Sequence, residues 1–127
     1  MIKIIAVVFV GGAVGAMLRE FLMLIVPSLA DGFPLDILAA NLVASFLLGF
    51  ATALHGRKVL SDSVNSLMGT GIAGGLSTFS SFAYGVAVLA TASATSAVVP
   101  FAYVVVSLVL GYVAVAAGLM LGRQRSN

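Results

Sequence analysis

The chain has 127 residues, of which 61% are hydrophobic and only 8% are charged, and its net charge is +2. Too few polar side chains are present to cover a water-soluble fold, so this composition excludes an ordinary soluble enzyme. The small, dispersed charge argues against nucleic acid binding, and the absence of cysteine excludes disulfides and thiol chemistry.

Four apolar segments are each long enough for a helix to cross the hydrocarbon layer, which takes about 20 residues. We predict spans over residues 2–26, 37–54, 66–90 and 98–122. Pro27 stops the first span, and Pro100 suits the first turn of the last. The short connections predict a single four-helix domain over 1–127 in the cell membrane. The sequence holds no metal-ligand cluster, nucleophile–base pair or phosphate loop, so we predict that it is not an enzyme.

The basic residues set the expected orientation. Four spans place both termini on one side of the membrane, together with the connection after the second span. The basic residues expected on this side are Lys3, Arg57, Lys58, Arg123 and Arg125. The opposite side carries Asp31 and Asp36 instead. Lysine and arginine are enriched in cytoplasmic segments, so we predict that both termini are cytoplasmic.

The third span should not form one regular helix. Its residues 69–75 include four glycines, and residues 77–82 place four hydroxyl side chains around two phenylalanines. Glycine is a poor helix former, and irregular backbone is tolerated at membrane depth only where protein, water or an ion satisfies it. We therefore predict a helix broken in the middle of the membrane, at an ion site.

Polar residues follow helical spacing in two other spans. In the second span they are Asn41, Ser45, Thr52 and His55, and in the fourth they are Tyr103 and Ser107, with Gly111 at the next step of four. Asn41 could equally bridge helices or line a pore. Ser107 could bond its own helix, and Tyr103 could be an interfacial anchor.

Charged and small residues in the first span have two interpretations each. Arg19 and Glu20 are intramembrane charges, which are commonly functional, although Arg19 could also snorkel to the interface. The pair Gly11 and Gly15 has the spacing of close helix packing. The same spacing occurs at Ala40 and Ala44, and small residues also recur at Gly111, Gly118 and Gly122.

The hydroxyl and phenyl groups of the third span suit a small, hard anion. Phe79 and Phe82 share a helical face, and the edge of a phenyl ring is electropositive. Ser80 and Ser81 each add a hydroxyl donor. A simpler interpretation of the two phenylalanines is contact with lipid or core.

Four blocks of the sequence resemble the Fluc (CrcB) family of fluoride channels. They are the glycine-rich segment 11–19 ending in Arg19, the segment 39–49 with Asn41, the segment 74–82, and Tyr103 with Ser107. The third block, Gly-Gly-Leu-Ser-Thr-Phe-Ser-Ser-Phe, is the most specific of the four and resembles the family motif Gly-Gly-Leu-Thr-Thr-Phe-Ser-Thr-Phe.

The resemblance implies an all-α membrane protein that assembles as an antiparallel, dual-topology-type dimer with two pores and passively exports fluoride. The expected pore residues are Arg19, Asn41, Phe79, Ser80, Ser81, Phe82, Tyr103 and Ser107. A structural sodium ion would be held by the main-chain carbonyls of Gly74 and Ser77 from both subunits. We expect a homodimer rather than a heterodimer, in contact with membrane lipid.

The chain also departs from the family pattern. Ile37, Gly85 and Gly111 stand where polar residues are usual, and Ser77 replaces a threonine. The polar track should therefore be thinner, which could reduce throughput. Two other functions remain open: a proton-coupled four-helix cation or multidrug exporter that would use Glu20, and a structural subunit without transport.

Overall fold

The computed structural model describes residues 2–27, 33–92 and 97–124. Its helices are α1 (Ile2–Ile25), α2 (Leu35–Gly56), α3 (Asp62–Asn65), a π-helix (Ser66–Ala73), α4 (Gly74–Leu76), α5 (Phe79–Ala92) and α6 (Val98–Gln124). Four stretches are long and apolar enough to cross a membrane, and the third of them, Asp62–Thr91, is interrupted. The predicted architecture of four spanning helices with a broken third is confirmed. Arg125 and Asp31 lie outside the described residues.

The third span changes neighbours at its interruption. Its first part, residues 62–76, packs along α1, whereas α5 packs against α6 and α2. We refer to residues 62–76 as the N-terminal arm. The arm runs parallel to α1, and α2 runs parallel to α6, as alternating spans require. The break therefore lies at the point where the third span stops packing against α1 and begins to pack against α6.

The glycine run does not break the helix, contrary to the expectation. Residues Ser66–Ala73 keep a helical course as a π-helix, and Gly74–Leu76 continue as an α-helix. The glycines instead let the arm touch α1. A methyl group added at Gly71 would lie 2.9 Å from the Cα of Gly11, and one at Gly75 would press on the Gly12 carbonyl. From the α1 side, a methyl group at Gly15 would press on the Ile72 carbonyl. Helix packing thus explains Gly71, Gly75 and Gly15.

Small residues also join α2 to α6. A methyl group added at Gly118 would meet the backbone of Phe46 and, at 2.8 Å, the nitrogen of Phe50. At the end of this contact, the Arg57 guanidinium donates to the Gly122 carbonyl over 2.7 Å. The bond satisfies a carbonyl in the last turn of α6, where a positive charge also complements the helix dipole.

Among the described residues, buried side chains form two small hydrophobic clusters. Ala40, Ala44, Ala73 and Leu76 form the first, between α2 and the N-terminal arm. Leu38, Leu89 and Tyr103 form the second, between α2, α5 and α6. The predicted packing role of Ala40 and Ala44 is therefore confirmed. The break in the third span separates the two clusters.

Candidate functional site

The backbone leaves the helix at Ser77 and Thr78, between α4 and α5. Ser77 is extended, with φ −73° and ψ 150°. The Thr78 N–H donates to Asn41 Oδ1 over 2.8 Å, and Asn41 Nδ2 makes a long 3.5 Å contact to the Thr78 carbonyl. Asn41 therefore bridges two helices, as one of its two interpretations predicted. It also lines the adjoining pocket, so the two interpretations are compatible.

Thr78 begins α5 as its N-terminal cap. The Ser81 N–H donates to Thr78 Oγ1 over 3.2 Å, and Thr78 Oγ1 contacts the hydroxyls of Ser80 at 3.2 Å and Ser81 at 3.0 Å. Thr78 is 8% exposed and was absent from the predicted site. Threonine is among the residues favoured at helix N-caps, and that preference is the signal that could have located it.

Because these N–H groups donate to side chains, the carbonyls of Gly74 and Ser77 have no N–H partner in the helix. In a regular helix, Gly74 would accept from the Thr78 N–H and Ser77 from the Ser81 N–H. Those donors now go to Asn41 and to the Thr78 hydroxyl. Gly74 is left with a 3.5 Å contact from the Ser77 hydroxyl. Hard carbonyl oxygens fit a hard cation, so these residues are compatible with the predicted sodium.

Arg19 is directed at the break. Its Nη1 donates to the Gly75 carbonyl over 3.3 Å, at the C-terminal end of the N-terminal arm. A cation is favourable there because the carbonyl end of a helix carries partial negative charge. Within the single chain, Arg19 therefore contacts the end of the N-terminal arm, as a residue near the pathway would. Glu20, its neighbour, is exposed on the outer face of α1.

A pocket of about 300 Å³ lies beside the break. Its lining includes Asn41, Ser77, Thr78, Phe79, Phe82 and Ser107. The ring centroids of Phe79 and Phe82 are 6.0 Å apart. Phe82 is half-buried, whereas Phe79 is 81% exposed in the single chain. Ser80 and Ser81, which were predicted to line the pore, are not among the lining residues, and their hydroxyls contact Thr78.

Tyr103 lies behind Phe82 and is fully buried, so it is not an interfacial anchor. Its ring stacks on Phe82 at 5.4 Å and meets the edge of Phe33 at 5.2 Å. Among the described residues, no partner completes a hydrogen bond to the Tyr103 hydroxyl or to the Ser107 hydroxyl. Buried hydroxyls without partners indicate a place where water or a ligand binds.

Two of the departures from the family pattern have visible causes or consequences. A methyl group added at Gly85 would lie 2.9 Å from Pro34 Cγ, so a longer side chain would not fit there without movement. Gly111 lines the pocket, and a methyl group there would be 3.9 Å from Ser45 Oγ. The third departure, Ile37, is a buried apolar side chain with 6% of its surface exposed.

Comparison with known proteins identifies the family. The model of the family described as CrcB-like protein, Camphor Resistance (CrcB), matches residues 6–119. The chain belongs to the CrcB family. CrcB relatives include a protein of Brucella melitensis named "Fluoride-specific ion channel FluC 2", which is 58% identical over 127 residues. Another, "Fluoride-specific ion channel FluC 3" of Yersinia pseudotuberculosis, is 52% identical over 120 residues. The "Fluoride-specific ion channel FluC" of Ignicoccus hospitalis is 41% identical over 116 residues.

The length covered differs among these CrcB relatives. The whole chain matches 47% of the Brucella melitensis protein, so it spans about half of that relative. It covers 89% of the Yersinia relative and 92% of the Ignicoccus relative. Family membership and the four spans make the chain a multi-pass membrane protein. The relatives' names describe an ion channel, as expected, and give no support to an enzyme or a multidrug exporter.

Proposed function

We propose that this chain is a fluoride-selective channel that lets fluoride leave the cytoplasm passively. The observation that carries the proposal is the broken third span, which places Phe82, Phe79 and Asn41 around one pocket at membrane depth. The names of the CrcB relatives support fluoride as the ion. Hydrogen fluoride enters a cell as the neutral acid and dissociates inside, so a passive path for the anion relieves its toxicity.

The electrostatics of the break suit an anion. The N-terminus of α5 points its partial positive charge toward the break, where Phe79 and Phe82 begin the helix. Ring edges add further positive potential. The Asn41 side-chain NH2 has two hydrogens, and its long contact to Thr78 leaves at least one of them available to an anion. Arg19 contributes a full positive charge nearby. A small anion is favoured because it approaches these donors most closely.

The pathway is completed by a second copy of the chain. Gly74, Ser77 and Ser80 are exposed in the single chain, together with Phe79. Irregular backbone of this kind is not stable against lipid, so another protein surface must cover it. An antiparallel homodimer would bring two such breaks together and build each of two pores from both subunits.

A sodium ion would fit between the two breaks. The carbonyls of Gly74 and Ser77, released from the helical ladder, would supply two oxygens from each copy. The ion would neutralise the partial negative charge at the end of the N-terminal arm and would favour an anion nearby. Its chemistry is therefore structural and electrostatic.

The proposal is tested by fluoride efflux from liposomes that contain the purified chain. We expect fluoride, but not chloride, to leave when a potassium ionophore balances the charge. Phe82→Ile should lower the efflux rate about tenfold or more, because it removes a ring edge from the pocket. Phe101→Ile is the matched control, since Phe101 is 70% exposed on α6 and does not line the pocket.

The outcomes separate the functions left open by the sequence. No fluoride efflux from folded wild-type protein would contradict the channel. Proton-coupled uptake of an organic cation that is lost in Glu20→Gln would instead indicate an exporter. Equal fluoride efflux from the wild type and Phe82→Ile would contradict the proposed pathway past Phe82, but fluoride would still be the conducted ion.

A further inference from the structure

Three buried polar atoms without partners follow one another along one side of the bundle. They are Ser107 Oγ, the Tyr103 hydroxyl and Asp36 Oδ1, and none of them completes a well-formed hydrogen bond to a described residue, although the Ser107 and Tyr103 hydroxyls are neighbours one turn apart on α6. Ser107 lines the pocket, and Tyr103 lies one helical turn away from it, toward the membrane face where α2 and α6 begin. Asp36 is in the first turn of α2, at that same face.

The carboxylate of Asp36 belongs to the surroundings of Tyr103. Asp36 lies in the first turn of α2, three residues after Phe33, whose ring centroid is 5.2 Å from that of Tyr103. Phe33 and Pro34, which lead into α2, contact Tyr103 and the Gly85 position respectively. An α-helix rises about 6 Å in four residues, so Ser107 and Tyr103 mark successive steps of a path that ends beside Asp36.

We propose that Asp36 is a rate-limiting barrier at one mouth of the anion pathway. The inference rests on the proposed function, because it concerns the same path. An ionised carboxylate repels a passing anion, and the repulsion is strong here because one of its oxygens is buried away from water. Among the described residues, none forms an ion pair with Asp36.

Asp36 also competes with the anion for a proton donor. The Tyr103 hydroxyl has a single hydrogen to donate. A water between the two side chains would direct that hydrogen toward the carboxylate, and the lone pairs of Tyr103 would then face the anion. Removing the negative charge of Asp36 weakens both the repulsion of the anion and the competition for the Tyr103 hydrogen. Both changes should raise the efflux rate.

The test is fluoride efflux by Asp36→Asn, an isosteric neutral variant, in the same liposomes as the wild type. We expect the rate to rise about three- to tenfold. Structural damage would lower the rate, so a gain distinguishes a barrier from a merely structural role. Asp62→Asn is the matched control, because Asp62 is an exposed carboxylate at the opposite end of the bundle, and its rate should equal that of the wild type.

Tyr103→Phe resolves the contribution of the hydroxyl. We expect Asp36→Asn to raise the efflux rate less in the Tyr103→Phe background. Tyr103→Phe has no hydroxyl hydrogen that could turn from residue 36 to the anion. An unchanged or lower rate for Asp36→Asn, in a chain whose wild type conducts fluoride, would overturn the barrier alone. No fluoride efflux from either protein would overturn the channel, and the barrier with it.

Discussion

The N-terminal arm and α5 belong to one predicted span, yet they contact their neighbours by different means. The arm lies against α1 through glycines that leave no space between the backbones, as at Gly15 and Ile72. Helix α5 meets α6 through aromatic rings and leaves a pocket of about 300 Å³ beside it. The closed contact anchors the arm, and the open one provides room for an ion. Glycine-rich and hydroxyl-rich segments that adjoin in the sequence thus have separate roles.

The largest expected effect comes from opening the closed contact. Gly15→Ala should destabilise the protein by about 2–3 kcal/mol, because the added methyl group would meet the backbone of the arm. Thermal unfolding in detergent measures the change. Gly12→Ala is the control on the same helix, since a methyl group there meets nothing within 4 Å. Equal losses from both variants would show that the closeness of α1 and the arm is not what stabilises them.

The next effect comes from the bridge between α2 and the break. Asn41→Leu removes the partner of the Thr78 N–H and should destabilise the protein by about 2 kcal/mol, because the backbone group is then unsatisfied. Fluoride efflux should fall as well. Thr52→Val provides the comparison, since the Thr52 hydroxyl bonds the carbonyl of Leu48 in its own turn. If Asn41→Leu unfolds at the wild-type temperature, Asn41 does not hold the break.

A smaller effect is expected where the arm ends. Arg19→Gln shortens the side chain that reaches the Gly75 carbonyl and should cost about 1 kcal/mol of stability. Efflux should also slow, because a positive charge beside the pathway is lost. Glu20→Gln, at the adjacent exposed position, should change neither quantity. Wild-type efflux from a folded Arg19→Gln variant would remove Arg19 from the pathway.

Much of the fold follows from hydropathy, but the position of the break does not. The four spans are legible because each has enough apolar residues to cross the membrane. Glycine density, however, is the same signal for a broken helix and for close packing, and here residues 69–75 remain helical. The break lies at Ser77 and Thr78 because Asn41 takes the N–H that would have continued the helix.

The candidate site was only partly visible in the sequence, for similar reasons. The predicted second span began at Ile37, which left Asp36 in the aqueous phase, whereas α2 begins at Leu35. Thr78 was overlooked because its role is to cap a helix that the sequence did not separate from the arm. The position of the Arg19 side chain depends on its contact with Gly75, which is 56 residues away in the sequence. A local sequence pattern does not reveal such a contact.

The exposed side of the break, unlike the closed contact with α1, needs a second copy of the chain to cover it. Cysteine cross-linking in native membranes tests this most directly, because the natural chain contains no cysteine. Ser77→Cys, exposed at the break, should form a covalent dimer on mild oxidation, whereas Phe9→Cys, 76% exposed on α1, should remain a monomer. A Ser77→Cys chain that stays monomeric, or that cross-links no better than Phe9→Cys, would contradict a pathway shared by two copies.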